Sequence, residues 1–451
     1  MNFSSKNSTF AILKYLAMKK VLAIRHENKY EAEKRVPLIP KHAKKLIDKG
    51  YEILVEESPK RTFKHDEYSA VGAKVQSDIS AADIIIGVKE VPIPNLQADK
   101  TYMYFSHVIK GQAYNMPMLR KLKELKCNLI DYEKVTDEFG RRIIFFGRYA
   151  GLAGMINTLW SLGQRYKKLG IDTPFAQLKQ TKEYFSLDEV KAAISKVGFE
   201  IIEKGLPKEI TPLTFGITGY GNVSNGAQEI LNLLPVKEIS PEELLNLKTD
   251  PSNGHVVYKT VFKEKDMVQK VSSDDEFELQ DYYANPENYK SVFDNYTPKM
   301  SVLVHGSYWD ERYPRIITKD YIKKIYESEK PKLVVVGDIS CDPDGGVEFT
   351  HKGTEIEDPV FVYDPETDKP TMGFDGNGIL VMSVDILPSE LPRDASTGFS
   401  EALSPFMEGI LEADFDKPTE EIGLPKAIRR ALILHKGEFT PEFEYISEYL
   451  K

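Results

Sequence analysis

The sequence predicts an α/β protein with parallel β-sheets covered by helices. Short β-like runs alternate with amphipathic helical stretches from Lys20 to about Asp131, which is the pattern of parallel strands joined by helical crossovers. In mid-chain, at residues 213–226, an apolar strand leads through a glycine-rich turn into another helical run. These two observations predict two α/β domains, of which the one containing the glycine-rich turn is inserted into the other.

The first part of the chain contains short elements of similar length. We predict strands at Val21–Ile24, Glu52–Glu56, Ile84–Val88 and Tyr102–Phe105, and helices at Lys41–Lys49 and Asn115–Leu125. The longest helical run follows at Tyr149–Leu169, and its small residues (Ala150, Gly151, Ala153 and Gly154) allow another backbone to approach closely. Gly170 and Pro174 then end this helix.

The second half of the chain continues the same alternation. We predict helices at Leu187–Val197, Ala227–Leu234 and Ser396–Glu412, and strands at Leu213–Thr218, Ser301–Val304, Lys332–Val336 and Gly378–Ser383. Residues 240–300 are polar and aromatic with weak periodicity. We therefore expect this segment to be the least regular part of the molecule.

Composition excludes several classes of protein. The 451 residues are enough for two or three domains. A formal net charge of −9 without a Lys/Arg cluster argues against a nucleic-acid partner. The two cysteines, Cys127 and Cys341, are too few for a disulfide framework or a Cys-rich zinc site and suit a reducing cytoplasm. We expect a cytoplasmic protein without a bound metal or a membrane-spanning segment.

The N-terminus does not resemble a signal peptide. A signal peptide carries its positive charges before an uninterrupted apolar stretch. Here Lys6 is followed by polar residues, and Lys14 interrupts the mildly apolar run at residues 9–18. We expect residues 1–18 to be a disordered or spurious extension.

The glycine-rich turn in Thr214–Gly226 has the order of a dinucleotide-binding loop. Gly219 permits a tight turn, Gly221 lets the backbone approach a pyrophosphate, and the following helix offers free N–H groups. Ser224 replaces the usual third glycine, and Gly226 follows two residues later. We expect the cofactor to bind at Gly219, Tyr220, Gly221, Asn222, Val223 and Ser224.

The choice between NAD and NADP stays open. The ribose-binding residue is expected roughly twenty residues after the first glycine, where Val236–Ser240 lies. Glu238 would favour a ribose hydroxyl and hence NAD, whereas Lys237 with Ser240 would favour the 2′-phosphate of NADP. A solvated charge pair also fits these residues.

Three charged residues lie at or near predicted strand ends in the N-terminal part. Arg35 belongs to a charged segment after the first strand, Lys89 follows Ile84–Val88, and His107 follows the strand ending at Phe105. The carboxyl ends of parallel strands meet at one edge of a sheet, where ligands bind. Taken singly, such residues are more often solvated. Together they supply a fork for a carboxylate, an amine whose pKa burial can shift, and an acid/base group.

Several runs resemble the alanine dehydrogenase and saccharopine dehydrogenase superfamily. They are GVKEVP (87–92), FSHVIK (105–110) and FFGRYAGLAG (145–154). Longer runs resemble in particular the lysine–ketoglutarate reductase half of aminoadipic semialdehyde synthase, at residues 129–157, 173–175, 212–230 and 383–396. The resemblance covers nearly everything from Lys20 onward. We expect the saccharopine-cleaving half of that bifunctional enzyme to be absent.

The resemblance implies a fold and a set of domains. It implies two Rossmann-like domains with parallel sheets, the dinucleotide-binding one inserted into the catalytic one, and an active site in the cleft between them. We place the first segment of the catalytic domain at residues 19–170 and a connector at 171–204. The dinucleotide-binding domain is then 205–394, and the return segment to the catalytic domain is 395–451.

The resemblance also implies roles for individual residues. Lys89 and His107 match the catalytic pair of the family, and Arg35 matches the arginine that holds a substrate carboxylate. His305 departs from the family, because relatives have asparagine there near the dinucleotide. The remaining matches are Glu33 as an acidic modulator, Lys110 as the lysine after the histidine, and Asp338 beside the nicotinamide.

The activity implied is the NAD(P)H-dependent condensation of lysine with 2-oxoglutarate to saccharopine, or its reversal. An alanine dehydrogenase or another opine-type reductase is the alternative of the same class. A dinucleotide-binding protein without turnover is the alternative of another class, against which the joint presence of Lys89, His107, Arg35 and Asp338 argues. The expected partners are small molecules, namely amino-acid and oxo-acid substrates, and a homo-oligomer is compatible with the sequence.

Overall fold

The computed structural model describes residues 19–248, 250–272, 276–328 and 331–451. The extension expected at residues 1–18 lies outside the described residues. The chain forms two compact units. The first unit contains the residues up to Phe145 together with Pro392–Lys451, and the second unit is the inserted segment Phe146–Leu391.

Both units contain strands and α-helices in mixed order along the chain. The first stretch of the first unit contains β1 (Leu22–Ile24), α1 (Pro40–Asp48), β2 (Ile53–Glu56), α2 (His65–Ser69), β3 (Lys74–Gln76), β4 (Ile84–Ile86), β5 (Thr101–Tyr104), α3 (Met116–Glu124) and β6 (Asn128–Asp131). The second unit contains α4 (Gly147–Lys168), α5 (Leu187–Lys204), β7 (Leu213–Thr218), α6 (Asn222–Leu231), β8 (Val236–Glu238), α7 (Pro241–Leu245), β9 (Val257–Phe262), α8 (Glu264–Met267), β10 (Val268–Lys270), α9 (Leu279–Ala284), β11 (Tyr289–Ser291), β12 (Val302–His305), α10 (Lys319–Ser328), β13 (Val335–Asp338), β14 (Val360–Asp364), β15 (Lys369–Met372) and β16 (Ile379–Met382). The return stretch of the first unit contains α11 (Pro392–Glu412), α12 (Lys426–Arg429), β17 (Leu432–His435) and β18 (Glu438–Phe439).

The sheet of the first unit has the strand order β18-β17-β6-β5-β4-β1-β2-β3. The strands from β6 to β3 pair in parallel, and β17 pairs antiparallel with β6. Helix α11 also contacts the first stretch, because the hydroxyls of Ser396 and Ser400 accept the backbone N–H groups of Val36 and Ile39. The return stretch therefore completes the first unit.

The main sheet of the second unit has the order β15-β14-β16-β13-β12-β7-β9-β8. The strands from β16 to β8 pair in parallel, and β14 is antiparallel to its neighbours. The chain crosses from one side of β7 to the other, since β9 and β12 flank it. Such a crossover point is where open α/β sheets bind ligands.

The expected fold class, α/β with two mostly parallel sheets and an inserted second unit, is confirmed by these topologies. The boundaries differ from those expected, because residues 146–204 belong to the second unit. The reason is the contact between α4 and α6. A Cβ atom added at Gly151 would lie 1.9 Å from the carbonyl oxygen of Val223, and one at Gly226 would lie 2.2 Å from that of Arg148.

Residues 240–300 are more regular than expected. Strand β9 pairs with β7 over its full length, and β10 and β11 form a separate antiparallel pair. The sequence pattern hid β9 because Lys259 and Thr260 interrupt its apolar run, although both are buried. Among the helices of the described ranges, none has the length and apolar composition needed to cross a bilayer.

Candidate active site

The carboxyl ends of β1, β4 and β5 carry a cluster of charged side chains. These strands are parallel neighbours in the first unit, so their ends lie at the same edge of the sheet. Glu27 follows β1, Lys89 and Glu90 follow β4, and His107 follows β5. The structure thus places the two sequence-predicted catalytic residues at adjacent strand ends.

Glu90 holds the ring of His107. The distance between Glu90 Oε1 and His107 Nδ1 is 2.6 Å, and the same oxygen accepts hydrogen bonds from Asn115 Nδ2 at 2.8 Å and Lys29 Nζ at 2.7 Å. Burial raises the pKa of Glu90, but the bonds from His107 and the two other donors outweigh it and lower the pKa to about 2. The carboxylate is therefore ionised near neutral pH, and it directs Nε2 of His107 away from itself.

The backbone of His107 is also unusual. Its φ is 49°, in the left-handed region that residues other than glycine rarely adopt. Such strain persists where the surroundings fix it, and it is common at functional sites. The ring lies between full burial and full exposure, with 32% of the side chain accessible. This combination keeps the imidazole in one orientation while leaving it reachable.

Lys89 is fixed by its backbone and by an aromatic ring. Its N–H donates to Glu27 Oε2 at 3.0 Å, and the N–H of Val88 donates to Oε1 of the same carboxylate at 2.7 Å. The Lys89 ammonium lies 5.5 Å from the ring centroid of Tyr30, and the Lys29 ammonium lies 5.2 Å from that centroid. The ring of Tyr30 therefore contacts both Lys89 and Lys29, and Lys29 in turn pairs with Glu90.

Arg35 and Glu33 form a buried ion pair. Arg35 Nε donates to Glu33 Oε1 at 2.8 Å, and Nη2 donates to Oε2 at 2.5 Å. Burial raises the pKa of Glu33, but the charges of Arg35 and Lys89 outweigh it and hold the pKa below its usual range. The sequence suggested a guanidinium ready for a substrate carboxylate. In the structure, two of its N–H groups are engaged by Glu33, because a buried cation needs a partner.

Lys110 lies apart from these contacts. It is exposed, and its backbone N–H donates to Gln112 Oε1 at 3.1 Å. Sequence reasoning missed Glu27, Lys29, Glu90 and Asn115. Glu27 and Glu90 had a readable signal, since each comes within four residues of an apolar strand end.

The glycine loop of the second unit has the geometry expected of it. Gly219 has a φ of 82°, and a Cβ atom there would lie 3.2 Å from Ser307 Cα. Gly221 is the N-cap residue of α6, and apart from its chain neighbours no atom of the described chain lies within 4 Å of where its Cβ would be. Ser224 is buried and donates to the carbonyl oxygen of Gly219 at 2.7 Å. Ser224 thus closes the turn by this hydrogen bond, while Gly226 provides the close helix packing that the third glycine of the usual pattern would provide.

The structure places the sequence-predicted ribose residue, Glu238, away from the strand that leads into the glycine loop. Glu238 lies on β8, which β9 separates from β7, and its Oε2 pairs with Lys259 Nζ at 2.8 Å. Glu264 lies two residues after the end of β9, and its Oε1 accepts hydrogen bonds from the hydroxyls of Tyr220 at 3.4 Å and Tyr283 at 3.0 Å. The spacing used for the prediction assumes that the next strand along the chain pairs with β7, whereas here β9 pairs with β7 and β8 lies beyond it.

A cavity of about 330 Å³ lies beside this loop. Gly219 and Glu264 line it, and aromatic rings form much of its wall. This size and this mixture of apolar rings with a few polar groups are typical of small-molecule sites. The aromatic lining residues are Tyr282, Tyr283, Tyr308, Trp309 and Tyr313.

His305 and Asp338 lie at the ends of β12 and β13, in register with each other and with Thr218 at the end of β7. His305 Nδ1 is 2.8 Å from Thr218 Oγ1, and burial lowers the pKa of this histidine. Burial also raises the pKa of Asp338, whose Oδ2 accepts the hydroxyl of Thr350 at 2.5 Å. His305 Nε2 is buried with no hydrogen-bond partner among the described atoms. The structure thus brings both predicted residues to the crossover point.

Two family models match the chain. The alanine dehydrogenase/PNT N-terminal domain matches residues 23–153, and the alanine dehydrogenase/PNT C-terminal domain matches residues 287–442. Alpha-aminoadipic semialdehyde synthase of Arabidopsis thaliana is 37% identical over 448 residues, which are 96% of this chain and 42% of that protein. The chain thus spans less than half of the length of that relative.

Two further comparisons concern proteins of similar length. Saccharopine dehydrogenase [NAD(+), L-lysine-forming] of Candida glabrata is 30% identical over 410 residues, which are 87% of this chain and 92% of that protein. A solved L-alanine dehydrogenase superposes with a TM-score of 0.62 at 15% identity, covering 96% of this chain and all of that one, and so shares its fold. The chain belongs to the alanine dehydrogenase and saccharopine dehydrogenase family of amino-acid oxidoreductases.

Proposed function

We propose that this protein catalyses the NAD(P)H-dependent condensation of L-lysine with 2-oxoglutarate to saccharopine, or its reversal. The observation that carries the proposal is the group of Lys89, Glu90 and His107 at adjacent strand ends. The similarity to aminoadipic semialdehyde synthase supports lysine and 2-oxoglutarate as the substrates. The chain covers only part of that relative, so its substrates are proposed for this chain and not transferred as established.

The reaction needs proton transfers near neutral pH. The ε-amine of lysine attacks the ketone carbon, the oxygen leaves as water, and the resulting imine is reduced to a secondary amine. The nicotinamide, when bound, supplies the hydride for that reduction. His107 Nε2 gives a proton to the departing oxygen and accepts one from the amine, because Glu90 holds Nδ1 at 2.6 Å and stabilises the protonated ring.

Lys89 and Arg35 contribute positive charge and position. Lys89 lies close enough to Glu33 to lower the pKa of that carboxyl, and its ammonium stabilises negative charge developing on the ketone oxygen. Arg35, oriented by Glu33, attracts a carboxylate of the oxo acid. Holding the reactants in one geometry accounts for a large share of the rate of such two-substrate reactions.

The second unit has the features needed to hold the coenzyme. The open space at Gly221 and the N–H groups at the start of α6 suit a pyrophosphate. The cavity lined by Glu264 and aromatic rings suits the adenosine. We propose that Glu264 binds the ribose hydroxyls and that NAD is preferred, because a carboxylate there repels a 2′-phosphate. Lys263, the neighbouring cation, lies over the ring of Tyr220, 5.9 Å from its centroid.

The activity is tested by following nicotinamide absorbance with lysine and 2-oxoglutarate, and separately with pyruvate and ammonia. Saccharopine is identified by mass spectrometry. Turnover with pyruvate and ammonia alone would show an alanine dehydrogenase. Coenzyme binding without turnover on either pair would show a protein that binds the dinucleotide without catalysis.

The coenzyme preference is tested by neutralising each candidate glutamate. Glu264→Gln removes the charge that repels a 2′-phosphate, so the ratio of kcat/KM for NADH to that for NADPH should fall by about tenfold, the effect of roughly 1.4 kcal/mol. Glu238→Gln is the matched control and should leave the ratio unchanged. A fall in the Glu238→Gln enzyme alone would contradict the assignment.

A further inference from the structure

A second cavity lies at the opposite edge of the sheet in the second unit. Its volume is about 610 Å³. The residues that precede three parallel strands line it: Pro212 before β7, Lys299 before β12 and Lys332 before β13. These strands end at the glycine loop, His305 and Asp338, so this cavity is separated from the coenzyme loop by the length of the sheet.

Two lysine side chains, both positively charged, share this cavity. Lys299 and Lys332 both line it, and Lys332 is partly buried. Burial and the charge of Lys299 lower the pKa of Lys332 to about 8. Within the described ranges, neither lysine forms an ion pair with a carboxylate. Glu209 is the carboxylate among the lining residues, and it is exposed. The free protein therefore keeps two repelling charges in one concave site.

The remaining wall is largely apolar. Leu169 and Ile171, which follow α4, line it on one side, and Leu244 and Leu247 line it on another. Water alone would hydrate the ammonium groups but would gain nothing from these side chains. A ligand with one anionic end and one apolar end satisfies both parts of the wall.

We propose that this cavity binds an organic anion with an apolar body. Its carboxylate or phosphate group lies between Lys299 and Lys332, and its apolar part packs against Leu169, Ile171 and Leu247. An anion there converts the repulsion between the lysines into two charge-assisted hydrogen bonds. The site is independent of the proposed activity, because it shares no residue with the cluster around His107 or with the glycine loop.

The first test measures the reactivity of Lys332 in the full chain. An activated ester acylates lysines at a pH near the pKa of Lys332, and mass spectrometry follows each site. Phenyl phosphate and 4-phenylbutyrate are the anionic probes, and 4-phenylbutanol is the neutral probe of similar shape. We expect the anions to slow acylation of Lys332 while acylation of the exposed Lys196 is unchanged. The stronger protector of the two identifies phosphate or carboxylate as the preferred group.

The second test measures probe affinity by calorimetry with saturating coenzyme present. Lys332→Gln should weaken binding by about tenfold, the loss of one charge-assisted hydrogen bond. Lys332→Arg should keep most of the affinity, and Lys196→Gln should change nothing. Equal protection by 4-phenylbutanol would overturn the proposal. So would unprotected Lys332, or an unchanged affinity in a folded Lys332→Gln protein.

Discussion

Glu90 distributes its hydrogen bonds unevenly between its two oxygens. Oε1 accepts from His107, Lys29 and Asn115, whereas Oε2 is buried with no hydrogen-bond partner among the described atoms. A carboxylate held in this way is fixed in orientation, since rotation would break three bonds. Its negative charge favours a proton on Nδ1 of His107. Nε2 is then the nitrogen that exchanges protons with a substrate.

The roles of Lys89 and His107 are tested by removing each side chain's chemistry. Lys89→Met and His107→Gln should each lower kcat by about 10²- to 10⁴-fold, the usual loss for one positioned acid/base group. Both should keep NADH affinity, because the glycine loop, where we propose that the coenzyme binds, belongs to the second unit. The double variant should lose less than the product of the two single losses, since groups that act together are not additive.

Lys121→Met is the matched control for that experiment, because Lys121 lies on α3 with 40% of its side chain accessible and pairs with Glu124 three residues later. It should keep wild-type turnover. A structural role for His107 predicts a lower melting temperature instead of a lower kcat. Near-wild-type turnover in a folded Lys89→Met enzyme would contradict the mechanism.

Glu390 makes stability depend on pH. Its Oε1 accepts the amide of Asn157 at 2.6 Å and its Oε2 accepts the backbone N–H of Lys182 at 3.1 Å. Burial nevertheless raises its pKa from 4.5 to about 7. The folded state therefore binds this proton more tightly than the unfolded state. The stability that Glu390 contributes is complete below pH 4.5 and is lost as the pH rises through about 7.

The expected loss in the free energy of unfolding is about 3 kcal/mol, at roughly 1.4 kcal/mol for each unit by which the pKa of Glu390 is raised. Glu390→Gln cannot ionise and should remove this part of the pH dependence, measured as the free energy of unfolding by urea between pH 4.5 and 7. Glu203→Gln, on the exposed face of α5, should retain it. Parallel pH profiles of the wild type and Glu390→Gln would show that Glu390 does not titrate in this range.

Residues next to apolar strand ends were the ones that the sequence identified. Lys89 and His107 each follow such a strand within three residues, so their edge of the sheet was predictable. The ion pair between Arg35 and Glu33 was not predictable, because the side chains of two residues that lie two positions apart in a loop can point in any direction. The sequence did not single out Glu264, for which we propose a role in ribose binding, because its position depends on which strand pairs with β7, a non-local property.

The contact between α4 and α6 shows why α4 contains a run of small residues. The sequence indicated that another backbone approaches the segment around Gly151. In the structure this backbone is that of α6, and Gly226 provides the matching small residue. Neither position has room for a Cβ atom. Gly226 thus provides the close helix packing expected of the third glycine, although it lies two positions after the usual place.

Gly221 allows a test of the loop without disturbing the fold. Its φ of −82° and ψ of −167° are extended, and its Cβ position is open, so a side chain is tolerated. Asp and Asn at the start of α6 both cap a helix well, and neither should lower the melting temperature. Gly221→Asp also places a negative charge where the phosphates approach. It should weaken NADH binding far more than Gly221→Asn, as measured by fluorescence titration.

Equal affinities in the two variants would contradict the position of the pyrophosphate. Gly219 offers no such test, because its φ of 82° and the nearby Ser307 make any substitution strained. Substitutions at Gly219 therefore test the fold of the turn, whereas substitutions at Gly221 test the binding of the ligand.

At the scale of the whole molecule, the first unit is built from two distant pieces of chain. Strand β17 pairs with β6, and α11 contacts the loop before α1. A glycine-rich turn in mid-chain made the insertion predictable. The boundary near residue 146 was not, because the helical period of α4 identifies a helix but does not say on which unit it packs.

The continuity of the second unit makes it the part that should fold by itself. It has its own eight-stranded sheet and its own core of buried side chains within the described residues. Its last buried acid, Glu390, bonds to Asn157 and Gln180 of the same unit. We expect a segment of residues 146–391 to melt cooperatively when produced alone. A first unit without this segment has no such continuity, since its sheet needs both pieces.

The excised second unit should also bind NADH. Both tryptophans of the chain, Trp160 and Trp309, belong to it, and Trp309 lines the cavity beside the glycine loop. Bound NADH should therefore quench tryptophan fluorescence, and Trp309→Phe should remove most of that signal. The affinity should stay within about tenfold of that of the full chain, because the loop, Glu264 and the aromatic wall are all retained. Gly221→Asp in the same segment should abolish the quenching. A folded segment that leaves NADH unbound, when the full chain binds it, would show that the first unit supplies an essential part of the coenzyme site.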